Sequence, residues 1–62
     1  MANAIDHKNV AKAAQAANLL VQDLRGVMYS ADPLLVEMSM EILKTAIEIE
    51  RRLNRIEAIM PR

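Results

Sequence analysis

The sequence contains no cysteine, so neither disulfides nor thiolate metal sites can stabilise its fold. Its single histidine, His7, cannot build a zinc site alone, and no metal or other cofactor is expected. Tyr29 is the only aromatic residue, which weighs against recognition of single-stranded RNA by base stacking. Eight basic residues balance eight acidic ones, leaving no net field to draw in nucleic acid or an anionic membrane. No apolar run approaches the roughly 20 residues needed to cross a bilayer. The first ten residues mix Asn3, Asp6, His7, Lys8 and Asn9 with few apolar side chains, unlike a secretory leader. A soluble, cytoplasmic protein without membrane contact is the expectation.

What is present is helix-forming and apolar. Glycine occurs once and proline twice, and the clearest punctuation is Asp32-Pro33. Aspartate accepts hydrogen bonds at a helix start, while proline at the first helical position loses no needed bond and presets φ. Pro33 also disfavours helical geometry at Asp32, so a preceding helix must stop shortly before it. Pro61 marks a second stop. The pattern predicts one domain spanning residues 1–62: a helix over about 6–29, a turn over about 30–32 and a helix over about 33–60. A connection that short makes the helices antiparallel. Asn3 or Asp6 can cap the first helix; Glu37 and Glu41 early in the second, with Arg51, Arg52 and Arg55 late, complement its dipole.

The inward face of the first helix reads Val10, Ala13, Ala14, Ala17, Leu20, Val21, Leu24, Val27 and Met28. Its alanines allow close backbone approach, with Ala17 expected near Thr45 and Ala46. The second helix carries two apolar stripes. At about 100° per residue, Leu35, Met38, Ile42, Ala46, Ile49, Leu53, Ile56 and Met60 line one face, and Val36, Met40, Leu43 and Ile47 line another about a third of a turn away. The first stripe is expected to close the hairpin. The second ends where Glu50, Arg51 and Asn54 continue its sector, which makes it a patch and a candidate dimer interface. A chain of 62 residues has a low buried fraction on its own, and small scaffolds without disulfides or metals turn to oligomerisation. Two hairpins joined through Val36, Met40, Leu43 and Ile47 would form a four-helix bundle.

Other features point less strongly to a site. Leu19 lies in the polar sector of the first helix, a shallow docking anchor for a protein partner if Gly26, seven residues on, leaves room beside it; scattered exposed leucines are otherwise ordinary. Lys44, Arg51, Arg52, Arg55 and Arg62 give a basic strip interrupted by Glu37 and Glu48, which reads as a solvated face of ion pairs. Tyr29 is expected over the hairpin turn, and His7 in solvent. No nucleophile accompanies that histidine, so no catalytic residue and no enzyme activity are expected.

In length and architecture the chain resembles the Rop type of helical-hairpin dimer, which implies an RNA-binding regulator as one alternative. Asp32-Pro33 followed by Ser39-Met40-Glu41-Ile42-Leu43 partly resembles the small hairpin phosphatases of sporulation response regulators, but Leu43 stands where their motif has an acidic residue. Type III secretion needle subunits and their small chaperones are similar in their Asp-Pro turn and amphipathic helices, which implies a chaperone or filament subunit. None of these assigns a family. The leading expectation is a non-enzymatic, homodimeric hairpin that binds an unidentified protein target, with a phage-encoded inhibitor of a host protein as one form of it.

Overall fold

The computed structural model describes residues 4–60. Two helices, α1 (Ala4–Val27) and α2 (Pro33–Ile59), pack against each other as an antiparallel hairpin, and the described residues contain no strand. Asp32 starts α2 as the residue pattern predicts: its backbone is extended, with φ −88° and ψ 110°, and its Oδ1 accepts from the Leu34 amide at 3.0 Å. Its carbonyl accepts the first helical bond, from the Val36 amide at 3.1 Å. The Ser30 hydroxyl oxygen accepts from the Asp32 amide at 3.0 Å, so the turn and the cap share one local network.

At its C-terminus α1 tightens: the amides of Tyr29 and Ser30 donate to Gly26 and Val27 three residues back, a common way to satisfy end carbonyls. The helix therefore ends two residues before the expected boundary. Met60 caps α2 in an extended conformation, with ψ 139°, the geometry a following proline favours. Asn3, one candidate cap, lies outside the described residues, and Asp6 sits within the first turn of α1. The first turn of α2 holds no acidic residue and its last turn no basic one, so Glu37, Glu41, Arg51, Arg52 and Arg55 lie where coupling to the helix dipole has largely decayed.

The interior is made of small side chains. Ala14, Ala17 and Val21 of α1 and Ser39 and Ala46 of α2 are buried, and among the described residues no large side chain is fully enclosed. That follows from the shape: the Cα envelope measures 47 × 13 × 11 Å, an elongated pair of helices with no third element among these residues to close over them. Two helices side by side cover a seam but cannot surround a core.

The seam on α2 is rotated from the expected position. Ser39 and Ala46, one heptad apart, occupy its centre, with Val36, Leu43, Ile47, Glu50, Leu53 and Glu57 half-buried around them. The stripe assigned to the hairpin is instead largely open: Leu35, Met38, Ile42, Ile49 and Ile56 are 44–58% exposed. The division of labour between the two stripes is thus corrected, because close approach favours serine and alanine at the contact line and pushes branched and long side chains to its flanks. Glu50, expected in the solvated sector, is a seam residue, and Asn18 Nδ2 donates to its Oε2 at 2.7 Å.

Candidate protein-interaction face

The antiparallel pairing determines which flanks share a side. At about 100° per residue, Ala13, Leu20 and Leu24 of α1 lie on the same side of the hairpin as Leu35, Met38, Ile42, Ile49 and Ile56 of α2. A shallow, mostly apolar groove confirms the juxtaposition, since Leu20 lines it together with Ile42, Thr45, Ala46 and Ile49, with Glu41 at its rim. This face runs along most of the hairpin. Large exposed apolar patches on small proteins mark association surfaces far more often than scattered single residues do.

The residues singled out as a dimer patch divide. Val36, Leu43 and Ile47 are half-buried on the opposite flank of the seam, while Met40 is exposed. That flank also carries the polar chain in which Gln22 Nε2 donates to Asn18 Oδ1 at 2.7 Å and Asn18 donates to Glu50. It is therefore the narrower and more polar of the two sides. The wider face was legible in one signal that hydrophobicity alone ranks low: Ser39 and Ala46, seven residues apart, match the alanine line of α1 and leave the isoleucines beside them uncovered.

Leu19 is 52% exposed, on the back of α1. Gly26 is helical, and a Cβ added there would meet nothing within 4 Å, so the glycine serves no close contact within the chain. Tyr29 is 90% exposed and does not cover the turn, because α1 has ended before it and its side chain leaves the hairpin. Leu34 and Ile59 are likewise open.

The basic strip forms a polar groove lined by Lys44, Ile47, Glu48, Arg51, Arg52 and Arg55. Within it Arg52 Nη2 is 2.7 Å from Glu48 Oε1, an exposed pair four residues apart of the kind that contributes a few tenths of a kcal/mol. Arg62 lies outside the described residues. His7 departs from expectation: it is half-buried, and its Nε2 is shielded with no hydrogen-bond partner among the described residues. Among the described residues no cluster of three or more His, Asp or Glu side chains is placed to hold a metal ion, and no helix is long and apolar enough to cross a membrane.

The fold and this face define a two-helix hairpin with one uncovered apolar side. Comparison with known proteins finds no matching family model, no matching curated protein and no matching solved structure.

Proposed function

We propose that the chain is a non-enzymatic association module, a homodimeric helical hairpin that acts as a regulator or adaptor by binding another protein. One observation carries this reading: six large apolar side chains, Leu20, Leu35, Met38, Ile42, Ile49 and Ile56, stand open along a single face, while the buried residues are no larger than valine. Such a face loses free energy in water at about 25 cal/mol per Å2 of apolar area left uncovered, and the seam by itself is a thin source of stability.

Self-association covers the face and leaves the outer surfaces of the helices free for a target. Leu19, open on the back of α1, is the proposed anchor there, with Gly26 leaving room beside it. Pairing through Val36, Met40, Leu43 and Ile47 is the competing dimer arrangement. Pull-downs from nuclease-treated lysate with wild-type and Leu19→Asp bait test the target-binding part. Bands that survive nuclease and weaken with Leu19→Asp support it; loss of every specific band on nuclease treatment favours an RNA ligand, and equal capture by both baits removes Leu19 as the anchor.

A further inference from the structure

A two-fold interface must be self-complementary: if one residue meets a second across the axis, the second meets the first. The open face of α2 has this property. Ile42 and Ile49, and Leu35 and Ile56, are each equidistant from the point between Thr45 and Ala46; half-buried Leu53 is the counterpart of Met38, and Met60 lies beyond Ile56 at the helix cap, outside the symmetric set. At the centre Thr45 is exposed and its neighbour Ala46 is buried against α1, so no large side chain keeps a second helix away there. Charge gives the direction. Of the charged residues of α2, Glu41 in the first half and Arg52 in the second border this face at about 100° per residue; a parallel pair would set each beside its own copy, whereas an antiparallel pair brings Glu41 within about two residues of the level of Arg52 of the other copy.

Area gives the scale of the contact. A compact monomer of 6.9 kDa is expected to expose about 4000 Å2, whereas the hairpin exposes 4990 Å2. The excess, about 1000 Å2, is close to the roughly 800 Å2 that each partner contributes to a standard interface. On α1, Ala13 and Leu20 border the same face, so a second first helix can also approach.

We propose that two copies pack through this face about a two-fold axis passing between Thr45 and Ala46, with α2 antiparallel across α2 of the second copy. Ile42 of each copy then meets Ile49 of the other, and Leu35 meets Ile56. This rests on the reading of the chain as a self-associating module and specifies the face, register and direction of that association.

Electron–electron distance measurements on spin labels test it, and the absence of native cysteine makes labelling clean. Glu37→Cys, Lys44→Cys and Arg55→Cys place the labels along one outward, exposed line of α2, so their inter-copy distances differ only through position along the axis. With a rise of about 1.5 Å per residue, the axial offset is about 4–5 Å at position 44 and about 25–29 Å at positions 37 and 55. The shortest distance should be at position 44, with clearly longer ones at both ends. Equal distances at all three sites, or a minimum at 37 or 55, overturn the proposed geometry while leaving a dimer in place; absence of any inter-copy coupling overturns self-association itself. In parallel, Ile42→Glu should weaken dimerisation about 30-fold or more and Met40→Glu should leave it unchanged. The reverse result places the interface on the opposite flank.

Discussion

Asn18 on α1 and Glu50 on α2, 32 residues apart in sequence, are joined by a 2.7 Å side-chain hydrogen bond from the Asn18 amide to the Glu50 carboxylate. Gln22 donates to the Asn18 oxygen from one turn further along α1, orienting the amide so that its nitrogen faces α2. In a seam whose centre is made of small side chains, hydrophobic burial rewards several axial offsets almost equally. A directional bond does not, so this pair favours one register.

Removing either end of the bond should therefore cost more than its exposure implies. Asn18→Ala and Glu50→Ala are each expected to lower stability by about 0.5–1.5 kcal/mol. The double variant should cost less than the sum of the two, which urea unfolding in a double-mutant cycle measures. Strict additivity would show that the bond contributes nothing in solution.

The alanine seam should tolerate no added volume. Ala17→Leu or Ala46→Leu is expected to destabilise the hairpin by about 1–3 kcal/mol through overpacking, seen as a lower urea midpoint. The same enlargement at exposed Ala16 should have little effect, separating seam packing from a general change in composition.

The helix and turn signals were readable from Asp32-Pro33 because their effect is local: capping and the φ restriction act on neighbouring residues and need no tertiary context. The rotation of α2 was not. Periodicity orders residues around a helix but leaves the zero of rotation open, and α2 has apolar side chains on both sides of the Ser39–Ala46 line. Ranking by hydrophobicity places isoleucine in the seam; ranking by closeness of approach places serine and alanine there. The alanines of α1 decide for the second, since they draw the backbones together. Glu50 was misread for a related reason, as its carboxylate is accommodated at the seam only because Asn18 stands across from it. Leu19 keeps the exposed position its angular place indicated.

Loss of the cap should be measurable. Asp32→Ala removes the acceptor of the Leu34 amide and is expected to cost about 1 kcal/mol, whereas Asp32→Asn should largely preserve stability. Thermal melts followed by circular dichroism distinguish the two.

Gly26 offers the opposite change. It is helical, and an added methyl group meets nothing within the chain, so Gly26→Ala should stabilise the hairpin by about 0.5–1 kcal/mol. A destabilised variant would indicate that Gly26 is covered closely by a second chain.

The central claim is that the open apolar face makes the chain an obligate associating module. Sedimentation equilibrium across the micromolar range, paired with circular dichroism on the same samples, tests it most directly. The account predicts a helical species of twice the 6.9 kDa chain mass, with a melting temperature that rises with concentration. A fully helical species of 6.9 kDa whose melting is independent of concentration would contradict it.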